Sequence, residues 1–363
     1  MPPRRLPGLL LCLCMVPFSA LGEALPQSDP DATTQLAAVE VQGERPGPGL
    51  WRVEKGDHVL WILGTLSPLP AKVEWRSTEL EARLAEAEAV IDRPGVQVTS
   101  GAGKWRTAMA LPSLLGARKN PDGATLQNVV SPELYARWAS LKAIYLGRNR
   151  SVERWRPVFA AEKLQSEAAD SVGLKFGSPA SALVHKIAEQ RELPVIKPNV
   201  AIVINDLKVT IREFKANALG DTDCFERTLR RFESDLDLLR ARANAWAEGD
   251  VPLLRELHEA DPESACLDAV LGASALQKRG LDDLPEKKRQ AWLAAVDKVL
   301  DEHRISVGLL PISELLKPDG YLSDLANRGY VVTAPDEDES EDESDVELAP
   351  TLDQSASTPA GFE

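Results

Sequence analysis

The hydrophobic pattern turns on residues 51–70, WRVEKGDHVLWILGTLSPLP. Residues 51–54 are a short aromatic and β-branched run, Gly56-Asp57 supply turn chemistry, and residues 58–63 form a nearly continuous apolar run of strand length. The pattern predicts a β-hairpin whose second strand is buried on both faces and central in a sheet. Gly64 ends that strand at a bend or a bound group, and Pro68 and Pro70 prevent it from continuing as a central strand. Small polar residues, Thr65 and Ser67, leave its C-terminal end, where α/β sheets tend to place sites. An ordinary strand-to-loop exit explains the same residues.

Further along, Ser77 is expected to cap a helix with Leu80, Leu84 and Ala87 on one face, and residues 89–91 read as a strand ending at Asp92. Residues 95–128 are rich in loop formers. Ser131-Pro132 and Ser178-Pro179 are helix starts, the second leading to about Gln190, and another long helix is predicted over about 152–171. Residues 194–196 are a candidate strand, and residues 204–276 read as polar-faced helices broken at Gly220, Gly249-Asp250 and Asp261-Pro262. Leu284-Pro285 opens a helix that buries Trp292, Val296, Val299 and Leu300. Residues 305–309 form a strand interrupted by Pro311, a short helix follows Pro318-Asp319-Gly320, and residues 329–333 form the last strand. One earlier strand is predicted at 36–41.

Charge and leader chemistry add a compartment. Arg4 and Arg5 precede the apolar run 9–16, and Ala20-Leu21-Gly22 follows, a signal-peptide pattern cleaved after Gly22. No later segment approaches about 18 uninterrupted apolar residues, so the mature chain is expected to be exported, periplasmic and without a membrane span. The expected organisation is a signal peptide (1–22), a polar leader (23–49), a folded domain (50–334) and an acidic, disordered tail (335–363). At 44% hydrophobic and 27% charged residues, the chain can bury a sizeable core. The formal charge is −14, and residues 335–363 hold eleven acids with no Lys or Arg, so most of the excess belongs to the tail. This balance excludes nucleic acid and anionic membrane surfaces as expected partners. Cys12 and Cys14 belong to the signal segment, leaving Cys224 and Cys266 to pair in an oxidising compartment.

The chain has four histidines, His58, His185, His258 and His303, and no two have metal-ligand spacing. His185 lies in mid-helix beside Lys186 and reads as a surface or packing residue. Ser67 lacks a Gly-x-Ser-x-Gly elbow, and no glycine-rich phosphate loop is present.

The segment LWILGTLSPLP, followed by a helix and AVIDR, and the closing segment ISVGLLPISELLKPDGYLSDLANRGYVV resemble the TraB/GumN family, related to the Tiki metalloproteases. The intervening RWRPVFAAEKLQSEAADSVGLKFGSPASALVHKIAEQRELPVI resembles the family's middle, so the likeness spans roughly 50–333. It implies an α/β (α+β) fold with a small mixed central sheet surrounded by many helices. In that family two Gly-x-x-His motifs and acidic residues hold a divalent metal such as Mn or Co. Here the motifs read Gly64-Thr65-Leu66-Ser67 and Gly308-Leu309-Leu310-Pro311, so both imidazoles are replaced. Asp92 stands where the family often has Glu, Ile196-Lys197-Pro198 where it often has Leu-Glu-Thr, and Arg289-Gln290 where it has Arg-Asn. The resemblance therefore implies a retained fold, no expected cofactor, and a former cleft that takes a peptide or other small ligand. The implied ligand-binding residues are Gly64, Thr65, Ser67, Asp92, Arg289 and Gly308. The alternative is a divergent hydrolase with a metal held by Asp92 or with Ser67 as nucleophile.

Overall fold

The computed structural model describes residues 45–70, 75–100, 116–216, 221–234, 236–259 and 283–337. The chain divides into Met1–Gly43 and Glu44–Glu363, and the described residues all belong to the second unit. The signal segment, the strand expected at 36–41 and the tail beyond 337 lie outside the described residues.

The hairpin forms as the pattern predicts. Strand β1 (Leu50–Lys55) pairs antiparallel with β2 (His58–Thr65), and Gly56 supplies the left-handed turn at φ +62°. Then follow β3 (Leu69–Pro70), α1 (Thr78–Glu86), β4 (Ala89–Ile91), β5 (Gly95–Ser100), α2 (Leu126–Val129) and α3 (Pro132–Tyr145). The middle holds α4 (Pro157–Ser171), β6 (Leu174–Lys175), α5 (Pro179–Gln190), β7 (Val195–Ile196), β8 (Asn199–Ile204) and α6 (Leu207–Ala216). Next come α7 (Thr222–Ser234), α8 (Leu236–Glu248), α9 (Val251–Glu259) and α10 (Leu284–Glu302). The described chain closes with β9 (Ile305–Pro311), α11 (Ile312–Leu315), α12 (Tyr321–Asn327) and β10 (Val331–Thr333).

The central sheet has the order β10-β1-β2-β9-β4-β7, antiparallel from β10 to β2 and parallel from β2 to β7. This is a mixed α/β fold: a small mixed sheet surrounded by helices. The apolar run of β2 earns its central place, with Leu60, Ile62 and Leu63 all fully buried. Helix α10 packs on β2, β4 and β8 through a face that includes the expected Trp292, Val296, Val299 and Leu300. Among the described residues no helix is long and apolar enough to cross a membrane.

Several expectations are corrected. Strand β2 continues two residues past Leu63, because Gly64 and Thr65 pair with Leu310 and Pro311 of β9. Pro311 is the last residue of β9, so its missing N–H falls at the end of the ladder instead of interrupting it. Residues 95–100, expected as loop, form β5, which pairs in parallel with β8. This ribbon prolongs the β4–β7 pair past Pro94 and Pro198, with the Gly95 N–H donating to the Pro198 carbonyl at 3.4 Å. Ser77 holds the N-cap position of α1, but its hydroxyl donates to Glu81 and does not cap the backbone.

The helix expected over 152–171 is broken. A 3-10 turn (Ser151–Arg154) ends before Arg156, whose extended backbone is what a residue preceding proline prefers. Buried Arg156 donates to the carbonyls of Phe214 (2.8 Å) and Lys215 (2.9 Å) in the last turn of α6. Asp221 accepts the Val158 N–H at the start of α4 at 2.8 Å. Each group thus satisfies backbone left open at a helix end. Burial raises the Asp221 carboxyl above its ordinary pKa and lowers that of the Arg156 guanidinium.

The expected Cys224–Cys266 bridge is corrected to a narrower statement. Among the described residues no disulfide joins two cysteines: Cys224 on α7 is buried and disulfide-bonded, and Cys266 lies outside them. At the other boundary, residues 335–337 form a helical turn attached to the domain, with Asp336 paired to Arg255 of α9 at 2.5 Å.

Candidate functional site

Four neighbouring strands, β2, β9, β4 and β7, run parallel and so finish at one edge of the sheet. That edge receives Thr65 at the end of β2 and Ser67 after it, Pro311 at the end of β9, Asp92 after β4 and Lys197 after β7. Strand β9 separates β2 from β4, so Ser67 and Asp92 leave non-adjacent strands.

At the β2–β9 end the protein's own groups occupy the positions the sequence singles out. A Cβ added to Gly64 would lie 2.5 Å from Ile312 Cδ1, 3.1 Å from Trp51 Cζ3 and 3.2 Å from Leu315 Cδ1. The first turn after Pro311 therefore folds α11 down onto Gly64. The Gly64 carbonyl accepts a 2.7 Å hydrogen bond from the buried Trp246 Nε1–H. Thr65 is 4% exposed, and its hydroxyl donates to the Leu310 carbonyl at 3.1 Å. Half-buried Ser67 accepts the Gly177 N–H at 3.0 Å, a loop contact that holds the α4–α5 connection against the strand end. Gly308 lies within β9, with Leu60 and Trp292 close enough to line the space of an added Cβ. Arg289 on α10 reaches the Asp324 carboxylate and, at 3.3 Å, the Gly320 carbonyl, clamping the start of α12. Donating this hydrogen bond to the Asp324 carboxylate holds the Arg289 guanidinium above its ordinary pKa.

The β4–β7 end differs. Asp92 is half-buried; Oδ1 accepts the Arg93 N–H at 2.7 Å, and Oδ2 lies 3.3 Å from Nε2 of His185 on α5. Beside this pair is a cavity of about 330 Å³. Its floor is apolar, with Ala188 and Val195, and its rim carries Glu189, Glu192 and Lys197. Sequence reading gave His185 a surface or packing role and named no partner for it; the side chain is 44% exposed and paired with Asp92. Helix α5 feeds directly into β7, and β7 lies beside β4, a juxtaposition made by strands about a hundred residues apart that no local pattern announces.

The divalent metal implied by the resemblance does not fit this donor set. Pro311 offers no ligand atom, and Ser67 is a weak ligand whose oxygen already accepts a backbone N–H. Asp92 is a single carboxylate, too few donors by itself to hold a divalent cation. Among the described residues no group of three or more His, Cys, Asp or Glu is placed to hold a metal ion. A Ser67 nucleophile has no base among its described hydrogen-bond partners.

A small mixed sheet wrapped by helices, with no group of metal donors at its strand-end edge among the described residues, defines the class: a mixed α/β protein. The TraB/PrgY/gumN family model matches residues 49–334, and the chain belongs to that family. No curated protein and no solved structure matches it.

Proposed function

We propose that this chain is an exported, catalytically degenerate TraB/PrgY/gumN protein that binds a peptide or other small ligand without hydrolysing it. One observation carries the reading: Ser67 and Pro311 stand at the last positions of the two Gly-x-x-His motifs. Metal-assisted hydrolysis requires a cation held by several ligands so that bound water ionises near neutral pH. Two lost imidazoles remove that hold, and Pro311 also fixes the backbone where the second one would sit. Binding at the same strand ends needs no such cation. The surface left for it is the β4–β7 side, because the β2–β9 side is packed with the chain's own residues.

The test is metal analysis of the purified mature protein together with a peptidase assay in added Mn or Co. The expected outcome is substoichiometric metal and no metal-stimulated cleavage. Tight one-to-one metal binding with chelator-sensitive cleavage, abolished by Asp92→Ala, overturns the reading.

A further inference from the structure

We infer that the cavity between α5 and the β4–β7 strand ends is a binding site for an ammonium group on a short apolar stem. The proposal rests on the binding reading above and specifies the ligand's chemistry and the place that receives it.

The cavity, about 330 Å³, falls at the small end of the range of ligand pockets, room for one side chain or one chain terminus. Its floor suits a few methylenes: Ala188 is fully buried, and Val195 is half-buried at the start of β7. Above that floor stand three carboxylates, Asp92, Glu189 and Glu192, with Lys197 and the His185 imidazole beside them. Glu189 and Glu192 make no ion pair with another described residue, so their acceptor oxygens are free to meet a donor.

Asp92 differs from these two. It is half-buried where both glutamates are exposed, and its two oxygens face the Arg93 N–H and His185. An ammonium group has three donors and no acceptor, which matches a rim of carboxylates. A carboxylate ligand would meet three like charges, with Lys197 the one full positive charge in the lining and His185 already turned to Asp92, and a neutral amide would leave the carboxylates without a cation. Charge and shape together select a cation with an aliphatic stem. Lysine side chains and peptide N-termini share this chemistry.

The experiment uses the full mature chain and follows the His185 imidazole proton signals by NMR during titration. Three probes are compared: N-acetyl-lysinamide, leucinamide with its free amine, and N-acetyl-leucinamide as the uncharged control. Saturable shifts are expected from one or both amines and none from the control. Which amine binds more tightly identifies the source as a lysine side chain or an N-terminus. Asp92→Asn should weaken the better probe at least fivefold and Glu189→Gln about twofold, while Lys197→Ala should leave it unchanged or tighten it. Equal binding of the uncharged control, no saturation by either amine, or an Asp92→Asn variant with unaltered affinity overturns the site. Such a failure is separate from the failure of the binding reading, which turns on metal-dependent cleavage.

Discussion

The two ends of one sheet edge have had different fates. At the β2–β9 end, where the family's histidines belong, the chain has closed over its own backbone. Ile312, Leu315 and Trp51 fill the space beside Gly64, Trp246 takes its carbonyl, and Ser67 holds a loop. At the β4–β7 end, beside α5, a cavity is lined by Asp92, His185, Glu189, Glu192 and Lys197. The same topology thus yields a structural seam and an open surface. The difference lies in side chains: Gly and Pro at one end invite packing, and Asp, Glu, Lys and His at the other keep water within reach.

If the first end is a packed seam, adding volume there must be costly. Gly64→Val places a branched side chain against Ile312, Trp51 and Leu315, each 2–3% exposed. Overpacking of this kind costs about 3 kcal/mol, read as a lower urea midpoint at unchanged slope. At the open end the comparable substitution, Glu189→Gln, should stay within about 0.5 kcal/mol. A Gly64→Val protein as stable as wild type would mean that the seam is loose enough to admit a ligand after all.

Trp246 sharpens the point with a smaller change. Its ring is fully buried, stacks edge-on against Trp75 at 5.6 Å, and donates to the Gly64 carbonyl at 2.7 Å. Trp246→Phe strands that buried acceptor and leaves a small void, an expected loss of about 2 kcal/mol by the same urea measurement. A loss below about 0.5 kcal/mol would show that water reaches the carbonyl and that this end is wetter than its packing suggests.

These contrasts also mark what sequence could and could not say. The hairpin, the burial of residues 60–63 and the inner face of α10 were legible because each rests on local period and turn chemistry. The motif positions Ser67 and Pro311 were legible by resemblance, and they carried the functional argument. The β5–β8 ribbon was not, since two short β-branched runs acquire meaning only when β4 and β7 have already been brought side by side. The Arg156 clasp was hidden for a related reason, its carbonyl partners lying nearly sixty residues away on α6. His185 was the costliest miss. A lone histidine on a polar helix face has no sequence mark that tells it apart from one aimed at a distant aspartate.

The smallest effect tests that last pairing. Asp92 and His185 have side chains 20% and 44% exposed, and 3.3 Å separates the nearest atoms. Water competes for both, so the pair gains little Coulomb energy and gives up side-chain freedom to form. A double-mutant cycle of Asp92→Asn and His185→Ala should give a coupling of about 0.5 kcal/mol or less, diminishing further in high salt. The single variants should fold and melt close to wild type, which makes them usable for ligand titrations. A coupling of about 2 kcal/mol or more would place the pair among the fold's own fastenings. The open end would then be a second seam, and the contrast between the two ends would collapse.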